Sequence, residues 1–328
     1  MRIDSEDLSV IIPAYNEEKN ILTILNKLDE QSLNGFRVIV VDDGSVDNTA
    51  ALVASYKPKQ FILHLLRQEN KGAARARENA IRVSRSKFIA VIDSDDRLAN
   101  DSLENAFTPI INDPTIDISL FHLNYVNPDD NEITGSFVCY TANKKLKGKD
   151  VFANCVRAWG VHAFGIYNRE MFLRAYETYN DINKDGMNYL NNDEVISRIS
   201  FDLADKIYLS DGNYYFVNNV NSTTRRINHN YYKVLHNAFY ILDYIEKNKD
   251  APNYNLLIND AYALIISTMW GVSVRYFKWR KLLSDRDRGQ WHSLLHKSIS
   301  RLSKDKKSRT VLLSKKSKLQ LTLLSIMF

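Results

Sequence analysis

Phe88-Ile89-Ala90-Val91-Ile92-Asp93-Ser94-Asp95-Asp96 is the stretch whose reading decides the fold. Five apolar residues run straight into three carboxylates. A short continuous apolar run bounded by polar residues reads as a fully buried strand. Its end then places a cluster of acids at the carboxyl edge of a sheet, where open α/β sheets bind ligands. Carboxylates this close repel one another unless something positive sits among them. A hard divalent cation such as Mg2+ or Mn2+, bringing phosphates with it, answers that need. A solvated Asp-rich turn is the plainer reading of the segment taken alone.

The chain before this stretch repeats its pattern. Leu8 to Pro13 reads as a first strand, and Asn16 can cap the helix whose apolar face is Ile21, Ile24, Leu25 and Leu28. Phe36 to Val41 is a second strand ending in Asp42-Asp43-Gly44-Ser45, and Asp47 caps the next helix. Phe61 to Leu66 is a third strand. Gly72 to Val83 is a helix with Ala76, Ala80 and Val83 turned inward. Strands alternating with helices at this spacing imply a parallel sheet covered on both faces, joined by right-handed crossovers. Every strand end gathers polar residues: Tyr15-Asn16-Glu17, Asp42-Asp43, Arg67 onward, and Asp93 to Asp96. Four converging polar tips argue for one site.

Further along, the pattern predicts strands at 116–126, 133–140 and 161–167, and helices at 150–159 and 169–179. Asn-Pro-Asp-Asp at 127–130 reads as a turn. A helix follows Asn192 with Asp193 and Glu194 in its first turn. Short strands then flank Asp211-Gly212. From about residue 230 the pattern turns to long helical stretches, 231–247 and 256–280. Two cysteines, Cys139 and Cys155, give neither a disulfide framework nor a metal spacing. Residues 1–10 lack the apolar run of a signal peptide. No apolar run approaches ~18 residues, so no membrane-spanning helix is expected. The net charge of +5 hides an asymmetry. Between Arg275 and Gln320 there are 15 Lys/Arg against 3 Asp, so the remainder is net negative.

The first half of the chain resembles the family-2 glycosyltransferases, a GT-A-fold group that uses nucleotide-diphosphate sugars. Four motifs in order carry the resemblance: Val10-Ile11-Ile12-Pro13-Ala14-Tyr15-Asn16-Glu17-Glu18, Val40 to Ser45 with Asp47 and Thr49, Asn70 to Arg77, and Ile92 to Asp96. A looser match covers 160–225, where Asp193-Glu194, Tyr214-Tyr215 and Asn221-Ser222-Thr223 stand for an acidic pair, a Tyr-Tyr strand and a Ser-rich end. The usual Ala-Arg-Asn is here Ala76-Arg77-Glu78, so no role carries over to Glu78.

The resemblance implies a GT-A-type, Rossmann-like, mostly parallel sheet with helices on both faces over residues 1–225. Residues 1–100 would be the nucleotide-sugar half and 101–225 the acceptor half, followed by a helical basic region at 226–328. It implies an inverting, metal-dependent enzyme that moves a sugar from a nucleotide-diphosphate donor, a UDP-sugar, to a hydroxyl of a glycan or polyprenyl-diphosphate-linked saccharide. Asp95 with Asp93 would hold Mn2+ or Mg2+. Pro13, Tyr15, Glu17, Asp42, Asp43, Arg77, Asp93 and Ser94 would line the donor. Gly72 opens a helix whose amino end favours a phosphate. Asp193 is the base for the acceptor hydroxyl, with Glu194 the competitor. Core packing is the simpler role for Trp159 and His162. A non-catalytic nucleotide-sugar binder is the alternative. A dinucleotide-dependent dehydrogenase is disfavoured, because no Gly-x-Gly-x-x-Gly follows the first strand. The cation-and-aromatic run Arg275 to Leu283 and the later lysines suit an anionic membrane surface or a solvated helix face, and no nucleic-acid motif accompanies them. A cytoplasmic enzyme, peripheral on the inner face of the plasma membrane, is expected.

Overall fold

The computed structural model describes residues 1–128, 132–187, 189–217, 227–308 and 311–328, with the side chains of 306–308 set aside. Residues 221–223 and the second half of the 127–130 turn lie outside that set. The chain folds into two compact units. The first comprises 1–152, 160–178 and 196–219, and the second 153–159, 179–195 and 220–328. The stretches 153–159 and 179–195 therefore group with the helical region.

The first unit opens with β1 (Leu8–Ala14), α1 (Ile21–Asp29), β2 (Arg37–Asp42), α2 (Thr49–Ser55), β3 (Ile62–Arg67), α3 (Ala73–Val83) and β4 (Phe88–Val91). It continues through β5 (Arg97–Leu98), α4 (Ser102–Asn112), β6 (Ile118–Val126), β7 (Ile133–Ser136), β8 (Lys145–Lys147) and α5 (Gly148–Cys155). Next come β9 (Gly165–Asn168), α6 (Arg169–Ile182), α7 (Asp193–Leu203) and β10 (Lys206–Val217). The second unit carries a 3-10 turn at Tyr231–Lys233, then α8 (Val234–Lys247), α9 (Tyr254–Trp279), α10 (Asp285–Ser308) and α11 (Lys315–Met327). The expectations of 231–247 and 256–280 thus land within three residues of α8 and α9, while α10 and α11 emerge as helices the periodicity had not marked.

The sheet order is β3-β2-β1-β4-β9-β6-β10-β5, with β7 on β6 and β8 on β10. β1, β2, β3 and β4 run parallel. Every residue of β1 is buried, the signature of a strand covered on both faces. Order reverses at β1: β2 and β3 lie on one side and β4 on the other. That reversal makes a crevice at the carboxyl ends of β1 and β4. The fully parallel reading fails beyond β4, because β9 runs antiparallel to both β4 and β6. Gly165 permits that insertion, since a Cβ there would lie 2.6 Å from the Ser119 carbonyl oxygen.

Several local expectations are corrected. Asn16 does not cap α1. It sits at φ +56°, and its side-chain oxygen accepts from the Val46 amide. Val83 is exposed, not core. The inward face of α3 is instead Ala74, Ala76, Glu78, Ala80 and Ile81, because Glu78 turns in to meet Arg75 and Arg82. The two short strands around Asp211-Gly212 are one strand, β10, with a register shift between Leu209 and Asn213. There, a Cβ on Gly212 would approach the Ser102 carbonyl oxygen to 2.3 Å. Among the described residues, α9 is long and apolar enough to span a membrane by length and composition, although half of its most apolar window is buried in the protein. Scattered polar residues such as Asn259, Asp260 and Ser267 break its apolar run and hid it from a run-length count.

His162 lies in the core of the first unit, as its simpler reading held. The Phe164 amide donates to its Nδ1, and the Phe137 ring meets it edge-on at 5.4 Å. Burial lowers its pKa to about 4, partly opposed by a hydrogen bond to the Phe121 backbone. Between the ordinary value near 6.5 and about 4, the unfolded chain binds a proton that the folded chain refuses. This group's contribution is thus complete above pH 6.5 and is lost as pH falls toward 4, at about 1.4 kcal/mol per pH unit. Denaturant titrations across that window should give a flatter stability profile for His162→Phe than for the parent chain. Parallel profiles would contradict the assignment.

Candidate active site

The carboxyl tips of β1, β2 and β4 are tied together by short polar links. The Asn16 amide donates to Ser45 Oγ, the Glu17 amide to Thr49 Oγ1 and the Glu18 amide to Asp47 Oδ2, at 2.8–3.2 Å. Asp47 also accepts from the Thr49 amide at the head of α2, which is the capping expected of it. Pro13 is buried within β1, opposite Val41. Tyr15 stands 48% exposed and so is not a packed core aromatic. It is free of the core to meet a ligand.

Asp42 and Asp43 are buried and satisfied by the chain itself. Asp42 accepts from the Ser45 amide and from Arg67 Nε at 3.0 Å. Asp43 accepts from Gln68 Nε2 and from the amides of Lys71 and Gly72. The amides leading into α3, expected to favour a phosphate, are therefore engaged by the Asp43 carboxylate. Gly44 turns the chain at φ +78°, where a Cβ would come within 2.9 Å of the Asn70 amide nitrogen.

Four carboxyl groups gather at the switch point. Arg77, projecting from α3, donates to Asp93 Oδ1 at 2.8 Å. Glu17 accepts from Asn20 Nδ2 at 2.8 Å. Its pKa is raised, chiefly by burial, and the charge of Asp95 adds to the rise while a hydrogen bond from Ser94 opposes it. Glu17, Ser94 and Asp95 thus share one neighbourhood. Asp96 turns away into the core. It accepts from the Tyr214 hydroxyl at 2.7 Å and from the Val217 amide at 2.9 Å. Burial first, and then the nearby Asp93, push the Asp96 carboxyl well above the usual range. Its proximity to Asp93 comes from the turn, and its job is to tie β10 to that turn. The buried Tyr214 also receives the Asp93 amide at 3.4 Å.

Among the described residues, no three His, Cys, Asp or Glu side chains form a metal cage by themselves. Exposed oxygen donors from one or two carboxylates still suit a hard cation that takes its remaining ligands from phosphates and water. Asp95, with Asp93 beside it, offers that donor set.

Asp193 and Glu194 open α7 and belong to the second unit. Asn191, at φ +61°, turns the chain just before them, and its side-chain amide donates to Glu194 Oε1 at 3.0 Å. Asp193 is exposed. The loop leading to these acids is braced by α8. Asn237 Nδ2 donates to the Leu190 carbonyl at 2.7 Å, Tyr240 donates to Asn183 Oδ1, and His236 stacks on Tyr189 at 4.6 Å. Sequence reading missed this bracing, although the pattern Asn191-Asn192 before two acids was the available signal. It also missed Arg275, whose guanidinium lies 4.3 Å from the Tyr231 ring centre. The Tyr231 hydroxyl is raised chiefly by burial, with Arg275 opposing and Glu194 adding to the rise.

With this geometry in hand, residues 9–173 match the family model described as glycosyl transferase family 2, which is half of the chain. The chain belongs to glycosyl transferase family 2. This glycosyltransferase is 26% identical over 218 residues to glycosyltransferase GlyG of Streptococcus pneumoniae serotype 4, covering 64% of this chain and 70% of that one. It is 33% identical over 148 residues to the Escherichia coli UDP-Glc:alpha-D-GlcNAc-diphosphoundecaprenol beta-1,3-glucosyltransferase WfgD, covering 44% and 57%. The crystal structure of S. aureus TarS 1-349 in complex with UDP-GlcNAc matches at a TM-score of 0.64 and 18% identity, over 89% of this chain and 80% of that one. At that identity the likeness speaks to the fold.

Removing the Tyr214 hydroxyl leaves buried Asp96 short of a donor. Tyr214→Phe is expected to lower stability by about 1–3 kcal/mol, read as a lower urea midpoint. An unchanged midpoint would show that the Asp96–Tyr214 bond does not hold β10 to the turn.

Proposed function

We propose that this glycosyltransferase moves a sugar from a UDP-sugar to a hydroxyl of a glycan or lipid-linked saccharide, with inversion at the anomeric carbon, in surface-polysaccharide synthesis. The observation that carries the reading is the convergence of Glu17, Asp93, Ser94, Asp95 and Arg77 at the β1/β4 switch point. The names of similar proteins support the donor and acceptor classes: the E. coli relative is named for UDP-Glc and a diphosphoundecaprenol acceptor, and TarS has been solved with UDP-GlcNAc and with UDP. A lipid-linked acceptor suits a cytoplasmic enzyme working at the inner face of the plasma membrane.

Within this reading, Tyr15 meets the nucleobase and Glu17 the ribose. Arg77 fixes Asp93 so that its second oxygen faces the donor. Asp95 and Asp93 hold Mn2+ or Mg2+, which when bound stabilises the charge that develops on the leaving diphosphate. Asp193 takes the proton of the acceptor hydroxyl. A direct displacement needs one such carboxylate, on the face opposite the leaving group, and it inverts the anomeric centre. Glu194, held by Asn191, is the competing base.

Asp193→Asn is expected to cut sugar transfer by about a hundredfold or more while leaving UDP affinity unchanged. Initial rates with a labelled UDP-sugar, paired with a UDP titration, check both. If Glu194→Gln causes the collapse and Asp193→Asn does not, the roles are exchanged. If neither variant slows transfer, the displacement mechanism fails and a binding role gains ground.

A further inference from the structure

Helix α11 is apolar on two opposite sides. Ser317, Leu321, Leu324 and Phe328 recur at helical spacing on the side packed against α9, and Leu324 is fully buried. The Phe328 ring lies 5.8 Å from Tyr276 and 5.4 Å from His292, pinning the helix to α9 and α10. Leu319, Leu323, Ile326 and Met327 form a second stripe on the other side. All four are exposed, Leu319 at 61% and Ile326 at 76%. A surface helix ordinarily buries one apolar stripe and shows water a polar face. A pinned helix cannot roll to hide a second stripe, so that stripe waits for a partner.

Charge names the partner. From Lys306 to Phe328 the chain has six Lys/Arg and no Asp or Glu. Lys315 and Lys316 precede Leu319 by four and three residues, so they open the helix on the side of the exposed stripe, and both are exposed. At the other end of α11, Phe328 lies 6.0 Å from Phe277. Phe277 is itself exposed among the exposed Lys278, Arg280 and Lys281. An apolar stripe with cations at both ends is what an interfacial helix shows to anionic lipid. A second copy docking the same face would set lysines against lysines. Four side chains are also few beside the ~20–30 residues a side that a stable dimer buries.

The geometry points to α11 as a lipid-docking helix. Its Leu319–Leu323–Ile326–Met327 stripe enters the acyl boundary of an anionic bilayer, while Lys315 and Lys316 engage the lipid phosphates. This docking does not depend on the transfer reaction, and its test does not use it.

The test is cosedimentation of the full chain with vesicles of phosphatidylcholine mixed with phosphatidylglycerol, against phosphatidylcholine alone. Binding is expected only to the mixed vesicles. Lys315→Ser with Lys316→Ser should weaken it about 30-fold. Leu319→Ser and Ile326→Ser should each weaken it about tenfold or more. All four side chains are exposed, so the melting temperature should hold. Full binding by the stripe variants, or equal binding to neutral vesicles, overturns the proposal. So does concentration-dependent self-association in sedimentation velocity that Leu319→Ser abolishes, since the stripe would then belong to a second copy.

Discussion

Mutual repulsion among carboxyl groups at the end of β4 is the constraint on which the rest of the structure depends. Asp93, Asp95 and Asp96 fall within four residues, and Glu17 arrives beside them from β1. Left ionised and unpaired, such a cluster opposes the turn that holds it. The fold answers each acid differently. Arg77 from α3 neutralises Asp93. Tyr214 and the Val217 amide hold Asp96 in the core, where burial favours its neutral form. Asp95 keeps its charge toward the crevice, where its field raises Glu17. Within the first unit, three strands and a helix are thus positioned by the way one short acidic turn is balanced.

The parallel half of the sheet was legible because its strands are buried on both faces and so spell continuous apolar runs. Residues that break such simple patterns were not. Val83 looked apolar and inward, but the inward direction of α3 is set by Glu78, a charged residue buried against two arginines. β9 gave no sign of running against its neighbours, since strand direction is fixed by pairing and not by composition. Asp211-Gly212 looked like a break, yet it is a bulge that lets β10 pass close to Ser102. At the site, the motifs marked the right residue types. They could not say that Asp42 and Asp43 spend their oxygens on the chain's own donors, or that Asp96 differs from its two neighbours.

The helical unit has a logic of its own. The cation-and-aromatic run that looked like a single surface feature divides on folding. Trp279 turns inward to pack with Trp291 and Tyr231, while Phe277 stays exposed. Arg275 is drawn over Tyr231. The acids at the head of α7 also depend on this unit, since α8 fixes the loop from which they emerge. A helical extension that braces the loop carrying a candidate base bears on chemistry as well as on stability.

The account is tested most directly by Mn2+ electron paramagnetic resonance on the full chain, with and without UDP. Two carboxylates without a cage should bind Mn2+ weakly alone and much more tightly once UDP is present, and Asp95→Asn should abolish that gain. Mn2+ binding that ignores UDP, or a gain that survives Asp95→Asn, would contradict it.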